Sequence, residues 1–142
     1  MLIISGLKLG LKWKGQIKMK ITCGTDIIEI ERVKESIENL GEKFLERVYT
    51  KKEIEYCESK KKQKYQHYAA RFAAKEALFK AISWKLEDKY EICWKDIEVL
   101  NNNQGRPELK LIGVDLKNIE NIDISISHCK NYAVANVVVL AK

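Results

Sequence analysis

Residues 71–77 read RFAAKEA, a run of alanine and aromatic residues that predicts a helix with a carboxylate on its apolar face. At about 100° per residue, Glu76 points to the same side of this helix as Phe72 and Phe79. A carboxylate on a buried face is costly unless it is paired or hydrogen-bonded. We therefore expect Glu76 to have a cation, a set of donors or a raised pKa.

A second carboxylate, Asp26, follows Gly24 and Thr25 at the end of a strand-like run. Two carboxylates from different elements, with Lys75 beside one of them, are typical of a site for a hard metal ion and a phosphate. Each residue also has a simpler interpretation: Asp26 as a helix cap, Glu76 as a salt-bridge partner and Lys75 as a surface lysine. Taken together, the three residues favour the metal site.

Other residues could bind an anion near these carboxylates. Arg71 lies four residues before Lys75 on the same side of the helix, and the two cations could bind phosphate oxygens. The segment Gly105–Pro107 is first of all a hairpin turn, yet Arg106 and the backbone N–H groups could reach an anion. His128 ends a predicted strand and is either a packed ring or a functional group.

Length and composition describe one folded domain. The chain has 142 residues, of which 46% are hydrophobic and 32% charged. The net charge of +6 suggests an anionic partner, although residues 1–18 carry four lysines and no acidic residue. This balance fits a polyphosphate cofactor or an acidic protein better than duplex DNA. No apolar run approaches the roughly 18 residues of a membrane span. Because the excess of basic residues is also small, neither nucleic acid nor a membrane is expected as a partner.

The four cysteines are scattered, with no Cys-x-x-Cys pair, and no secretory signal is evident. We interpret them as reduced thiols of a cytoplasmic protein, without the ligand spacing of a zinc site. Ser127, His128 and Cys129 do not indicate a hydrolase, because neighbours on a strand point to opposite faces and no Gly-x-Ser-x-Gly turn is present.

The periodicity predicts an α+β domain with an N-terminal strand, then helices, then antiparallel strands. Residues 1–18 are interpreted as an extension, either an alternative start or a tail, and residues 19–142 as the domain. The helix over residues 65–83 is apolar nearly all round, so we expect cover on two sides, one of which could be another subunit. Residues 50–53 (TKKE) form a capping box, which predicts a helix that starts at Lys51. The remaining predicted elements are a strand over 17–23, helices over 31–40 and 44–48, a charged connector over 60–64, a hairpin over 97–111, and strands over 122–128 and 132–140, the last of them central.

Five segments of the chain resemble the holo-[acyl-carrier-protein] synthases, which belong to the 4'-phosphopantetheinyl transferase superfamily. They are residues 24–32 (GTDIIEIER), 71–81 (RFAAKEALFKA), 94–99 (WKDIEV), 103–107 (NQGRP) and 124–128 (ISISH), in the order and spacing of the family. The resemblance covers residues 19–142. The chain departs from the family at Thr25, where isoleucine or leucine is usual, and over residues 82–93, where a glycine-rich loop is common.

The resemblance implies an enzyme that transfers 4'-phosphopantetheine from coenzyme A to a serine of apo-acyl carrier protein. This reaction releases adenosine 3',5'-bisphosphate and serves fatty acid biosynthesis. It also implies a homotrimer with active sites at subunit interfaces. The implied roles are Mg²⁺ binding by Asp26 and Glu76, stabilisation of the attacked phosphoryl group by Lys75, coenzyme A binding by Arg71, Gly105, Arg106, Pro107 and His128, and carrier-protein contact by Arg32.

Two other functions fit parts of the sequence. A related transferase could serve a polyketide or peptide carrier domain. A basic α+β module could instead bind an acidic protein or RNA through residues 51–64, and such binding would be salt-sensitive and independent of metal.

Overall fold

A three-stranded antiparallel sheet and the long helix packed on one of its faces form the centre of the molecule. The structure is a computed structural model and describes residues 18–86 and 91–142. A strand comes first along the described chain, helices follow, and antiparallel strands end it, so the predicted α+β class is confirmed. The elements are β1 (Lys20–Glu29), α1 (Ile30–Leu40), α2 (Glu42–Val48), α3 (Lys51–Ser59), α4 (Lys64–Ile82), β2 (Ile97–Asn101), β3 (Pro107–Leu111), β4 (Ile119–His128) and β5 (Tyr132–Ala141).

The larger sheet has the strand order β1-β5-β4, and both neighbouring pairs are antiparallel. The prediction that the last strand is central is therefore confirmed. Alternate residues of β5, such as Ala135 and Val137, are fully buried, whereas Val138 on the opposite face is 45% exposed. The predicted hairpin is also confirmed, because β2 and β3 pair antiparallel as a separate two-stranded sheet.

β1 is longer than the sequence suggested. It runs through Asp26 to Glu29, because each of its residues pairs with a residue of β5. The prediction that this strand ends at residues 24–26 is therefore wrong, and Asp26 lies within the strand. The apolar residues Ile21 and Ile27 are 72% and 65% exposed, on the face that points away from α4.

At Gly24 the backbones of β1 and α4 come into direct contact. A methyl group on Gly24 would collide with the carbonyl oxygen of Ala77 and would lie 2.8 Å from the amide nitrogen of Ala81. Thr22, on the same face of the strand, donates its hydroxyl to the Ala81 carbonyl at 2.7 Å. Because no side chain separates the two elements here, the next inward residue of the strand, Asp26, lies against the helix.

The cover of α4 comes from this chain. Ala77 in its C-terminal half belongs to a buried cluster with Val137 of β5 and Val99 of β2. Tyr68 in its N-terminal half belongs to a second cluster, which includes Val33 of α1. The helix that looked apolar nearly all round therefore needs no second subunit to bury it.

The helices start within two residues of the predicted positions, and α3 starts at the predicted residue, Lys51. The capping box of α3 is confirmed, because the Thr50 hydroxyl accepts the Glu53 N–H at 3.3 Å and the Glu53 carboxylate accepts the Thr50 N–H at 2.8 Å. The charged connector over residues 60–64 is a loop only in part. Lys61–Gln63 form a short 3₁₀ turn, and Lys64 already begins α4.

Residues 1–17 and 87–90 are outside the described part of the chain. The former contain nearly all of the predicted extension 1–18, and the latter contain the centre of the divergent segment 82–93. The boundary before the predicted domain 19–142 and the role of that segment therefore stay predictions. None of the helices in residues 18–86 and 91–142 combines the length and hydropathy needed to cross a membrane.

Candidate active site

Asp26 and Glu76 line the same cavity, as the sequence predicted for a pair of carboxylates. The cavity has a volume of about 580 Å³, and its wall includes Phe72 of α4 and Arg32 of α1. Asp26 reaches it because the inward residues of β1 lie directly on α4. Asp26 does not cap the following helix, since α1 begins at Ile30 without a side-chain cap. The structure thus brings Asp26, Glu76 and Arg32 together at one site.

Lys80 is the functional candidate that the sequence reasoning missed. Its Nζ lies 2.8 Å from Asp26 Oδ1 and also donates to the Thr25 carbonyl at 2.9 Å. The Lys80 side chain is 54% exposed, so its ammonium group is accessible beside Asp26, which itself lines the cavity. The signal that would have found it is its spacing, because Lys80 follows Glu76 by one helical turn and so shares its face.

Glu76 is only half-buried, so its predicted place in the middle of a covered stripe is wrong. It lies on an open strip of α4 between the carboxylate cavity and a second cavity of about 630 Å³. Its Oε1 accepts a hydrogen bond from the indole Nε1 of Trp94 at 2.6 Å. The fully buried residues of α4, such as Ala74 and Leu78, are on the opposite side, where the sheets and helices pack.

Lys75 does not face the cavity, and the phosphate contact predicted for it requires a correction. The side chain is fully buried. Its ammonium group donates to Glu53 Oε2 at 2.7 Å, to the Val48 carbonyl at 2.7 Å and to the Trp94 carbonyl at 2.9 Å. An ammonium group has three N–H donors, and all three are used here. Burial lowers the pKa of Lys75, although the carboxylate of Glu53 opposes this change. Lys75 therefore has a structural role.

Arg71 lies on the Lys75 side of α4 and is also buried, with 2% of its surface exposed. Its Nη2 donates to Asn101 Oδ1 at 2.9 Å, its Nη1 donates to the His67 carbonyl at 3.3 Å, and its guanidinium lies 4.1 Å from the centre of the Tyr56 ring. Its Nε is buried without a hydrogen-bond partner, so the cation keeps one unused donor.

The turn between β2 and β3 is connected to Arg71 through Asn101. The Asn101 amide donates to the Gly105 carbonyl at 2.7 Å. Gly105 has a φ of +82°, a conformation that favours glycine. Next to it, Nη2 of Arg106 donates to Asp123 Oδ1 at 2.7 Å and to Oδ2 at 3.0 Å, and both side chains are 61% exposed. The turn therefore presents an arginine that is held in place but accessible.

His128 is exposed, so its interpretation as a packed core ring is wrong. Its ring lies 6.0 Å from the ring of His67, edge to face. The pKa of His67 is lowered to about 4, first by partial burial and then by the nearby charges of Arg71, Lys60 and His128. His67 is therefore neutral at pH 7.

Apart from the buried Lys75, the predicted site residues form two groups, and Lys80 joins the first of them. The first, which we call the carboxylate group, consists of Asp26, Glu76, Lys80 and Arg32. The second, which we call the arginine group, consists of Arg71, His128 and the turn Gly105–Pro107. No hydrogen bond or ion pair between described residues joins the two groups, whereas the sequence analysis had expected Arg71 and Glu76 to act at one place.

The carboxylate group fits a hard cation in part. Within the described ranges, no group of three His, Cys, Asp or Glu side chains could hold a metal ion by itself. Asp26 and Glu76 each commit one oxygen, to Lys80 and Trp94 respectively, and each keeps a second oxygen. Mg²⁺ commonly takes one or two protein carboxylates and completes its shell with phosphate oxygens and water. The pair therefore fits Mg²⁺ only together with a phosphate ligand.

Comparison with known proteins decides the family. Residues 22–137 match the family model of the 4'-phosphopantetheinyl transferase superfamily. The chain belongs to the 4'-phosphopantetheinyl transferases. The resemblance stated from the five sequence segments is thereby confirmed, and the protein is an enzyme of this class.

Similar proteins agree with this assignment. The transferase is 47% identical to the holo-[acyl-carrier-protein] synthase of Ruminiclostridium cellulolyticum over 126 residues, which are 85% of this chain and 92% of that one. A Bacillus anthracis holo-(acyl-carrier-protein) synthase in complex with CoA (3',5'-ADP) has a TM-score of 0.72 at 34% identity, with 88% of this chain and all of that chain covered. The Helicobacter pylori synthase in complex with coenzyme A has the same TM-score and identity, with coverage of 82% and 98%.

Proposed function

We propose that this transferase moves 4'-phosphopantetheine from coenzyme A to a serine of apo-acyl carrier protein, in a Mg²⁺-dependent reaction that serves fatty acid biosynthesis. The products are holo-acyl carrier protein and adenosine 3',5'-bisphosphate. The observation that carries the proposal is the carboxylate group, in which two carboxylates line one cavity and an accessible lysine contacts one of them. The similarity to solved synthases in complex with coenzyme A supports the choice of donor.

In this proposal Asp26 and Glu76 bind Mg²⁺ through the carboxylate oxygens that Lys80 and Trp94 leave free. The ion supplies charge neutralisation to the pyrophosphate of coenzyme A. Phosphoryl transfer depends mainly on positioning and on stabilisation of charge, so no nucleophile from this chain is needed. The attacking hydroxyl belongs to the carrier protein.

Lys80 takes the role that the family resemblance had suggested for Lys75. Its ammonium group is exposed beside Asp26, so it can donate to the oxygens of the phosphoryl group under attack. The contacts with Asp26 and the Thr25 carbonyl hold the ammonium group next to a carboxylate of the cavity before substrate arrives. Arg32 lines the same cavity from α1, and we propose that it contacts the acidic carrier protein.

We propose that the arginine group binds coenzyme A. Arg106 is accessible at the Gly105–Pro107 turn and His128 is exposed beside His67, whereas Arg71 is buried and supports the turn through Asn101. These donors and cations suit phosphate oxygens. Because they lie apart from the carboxylate group, we propose that a homotrimer joins the arginine group of one subunit to the carboxylate group of its neighbour. The exposed apolar residues Ile21, Ile27 and Val138 support burial of the outer sheet face in such an assembly.

The proposed location is cytoplasmic. The cysteines of the described residues, Cys23, Cys57, Cys93 and Cys129, are free thiols, which agrees with a reducing compartment.

Intact-mass spectrometry tests the proposed function. Apo-acyl carrier protein is incubated with this enzyme, coenzyme A and Mg²⁺, and a parallel sample contains EDTA. We expect a gain of one phosphopantetheine, lost with EDTA, and no gain with Asp26→Ala or Glu76→Ala. Lys110→Met, which changes an exposed lysine of β3, serves as the control and should keep full activity. Full activity in both carboxylate variants would remove the metal assignment, and no gain with several carrier proteins would reject the reaction.

A further inference from the structure

Trp94 connects the candidate metal ligand to the buried core. Its indole Nε1 donates to Glu76 Oε1 at 2.6 Å, which is short for a nitrogen donor. Hydrogen bonds to a charged acceptor are shorter and stronger than neutral ones. The indole has one donor and no acceptor, so it occupies one carboxylate oxygen and leaves the other to a cation.

The Trp94 main chain is itself held from the interior. Its carbonyl accepts a hydrogen bond from the buried ammonium group of Lys75 at 2.9 Å. Lys75 is fixed in turn by its ion pair with Glu53, in which both side chains are fully buried. Glu53 Oε1 also accepts the N–H of Val99 at 2.9 Å, and Val99 belongs to β2, the strand that follows Trp94 closely in the chain. The backbone that carries the indole is thus tied to α3, α4 and β2.

The indole ring is held from its sides as well. It packs against Phe72 of α4, with ring centres 5.6 Å apart, and the guanidinium of Arg47 lies 5.7 Å from its centre. The main chain is fixed here too, because the Asp96 carboxylate accepts the N–H of Cys93 at 2.8 Å and so closes the short 3₁₀ turn Trp94–Asp96. The Nε1 donor therefore has a defined position relative to Glu76.

We infer that Trp94 is a positioning residue that orients the Glu76 carboxylate for Mg²⁺ and thereby sets the affinity of the enzyme for the ion. This inference rests on the proposed function, because it requires Glu76 to be a ligand. Without the indole donor, the Glu76 side chain turns freely between the two cavities that it borders. The conformational entropy that is lost when Mg²⁺ orders this side chain then lowers the affinity for the ion.

Calorimetric titration of Mg²⁺ into the enzyme with saturating coenzyme A, and without carrier protein, tests this inference in the absence of turnover. Trp94→Phe keeps an aromatic ring against Phe72 and removes only the N–H donor and part of the ring. We expect its Mg²⁺ affinity to fall about tenfold, as the loss of one hydrogen bond to a charged group predicts. In activity assays its half-saturating Mg²⁺ concentration should rise by the same factor, and excess Mg²⁺ should restore kcat.

Trp84→Phe is the matched control, because Trp84 is a 41% exposed tryptophan that lines neither cavity. It should bind Mg²⁺ like the wild type. If Trp94→Phe does not fold, as judged by its thermal unfolding, replacement of Trp94 by benzothienylalanine removes the N–H while keeping the bicyclic shape. The same loss of affinity is expected for that variant.

Wild-type affinity in whichever of these two variants folds would overturn the inference while the proposed function stands. If the wild-type enzyme itself bound no Mg²⁺ in the presence of coenzyme A, the metal assignment and the inference would both fall.

Discussion

Lys75 and Lys80 belong to the same helix but have opposite surroundings. Lys75 is fully buried against Glu53, whereas the Lys80 side chain is 54% exposed beside Asp26. A buried ammonium group with three hydrogen bonds stabilises the fold, and an accessible one is available to substrate. The two lysines therefore predict two different experimental phenotypes.

The first prediction concerns this pair. Lys80→Met should lower kcat by about 10²-fold or more, because a donor to the reacting phosphoryl group is lost. Its stability should change by only about 1 kcal/mol, since Lys80 itself is exposed and Asp26 is partly so. Lys75→Met should lower the free energy of unfolding by about 3–5 kcal/mol, because it leaves Glu53 buried without its cation. Urea denaturation and steady-state kinetics of both variants measure this, and normal kcat in Lys80→Met would contradict the proposed role.

His67 provides a prediction on pH. Its pKa is about 4 in the folded enzyme and about 6.5 in an unfolded chain, so between these values the unfolded state binds more protons. Stability should therefore decrease as the pH falls from about 6.5 to about 4, and His67 should contribute no further change below that window. His67→Gln should flatten this part of the profile. Midpoints of urea unfolding at several pH values test this prediction. If the variant's stability depended on pH as steeply as that of the wild type, His67 would be excluded as the cause.

At the scale of elements, the contact between β1 and α4 determines where Asp26 lies. Gly24 leaves no room for a methyl group between the strand and the Ala77 carbonyl. The strand approaches the helix this closely only because small residues, Ala77 and Ala81, face it. The carboxylate group thus depends on backbone packing as well as on its own side chains.

Gly24→Ala should destabilise the enzyme by at least about 1–3 kcal/mol, because strand and helix must separate to admit the methyl group. Separating β1 from α4 also moves Asp26 away from Lys80, so kcat should fall even at temperatures where the variant is folded. Cys23→Ala, an exposed neighbour on β1, is the control and should change neither quantity. Thermal unfolding and kinetics measure both effects. A stable and fully active Gly24→Ala would show that this contact is not required.

Elements set by local sequence patterns could be predicted, whereas those set by distant contacts could not. The capping box at Thr50 and the alternation of the last strands are local patterns, and both predicted the structure correctly. The length of β1 was missed because it depends on pairing with β5, more than a hundred residues later in the chain. The burial of Lys75 was missed for a similar reason, since Glu53 and Trp94 come from other elements. Helical spacing alone could not say which side of α4 faces the core.

At the scale of the whole molecule, the outer face of the sheet and the two separate groups of site residues lead to the same prediction. Sedimentation equilibrium should give three times the chain mass of 16.5 kDa. Ile27→Glu should reduce assembly, because it places a charge on the exposed apolar face. Lys110→Glu, on the other sheet, is the control. A monomeric wild-type enzyme with full activity would contradict the proposed trimer.

Complementation tests whether the site is shared between subunits. Asp26→Ala disables the carboxylate group, and Arg106→Ala disables the arginine group at its exposed member, so each variant alone should lose most of its activity. Mixed trimers made by co-expression should regain activity, because some interfaces then contain both intact groups. The mass gain of acyl carrier protein measures the result. If the mixture stayed inactive while both variants folded and assembled, each site would have to lie within one subunit.

The direct contact of β1 with α4 has a consequence for engineering this enzyme. The spacing between Asp26 and Lys80 is set by main chain against main chain at Gly24, so the residues that line the two cavities around Glu76 do not determine it. Libraries that vary Phe44, Phe79 or Leu86 can reshape these walls without moving the charged pair. Selection for unnatural pantetheine analogues or foreign carrier domains should therefore begin with those wall positions and keep Gly24, Ala77 and Ala81 constant.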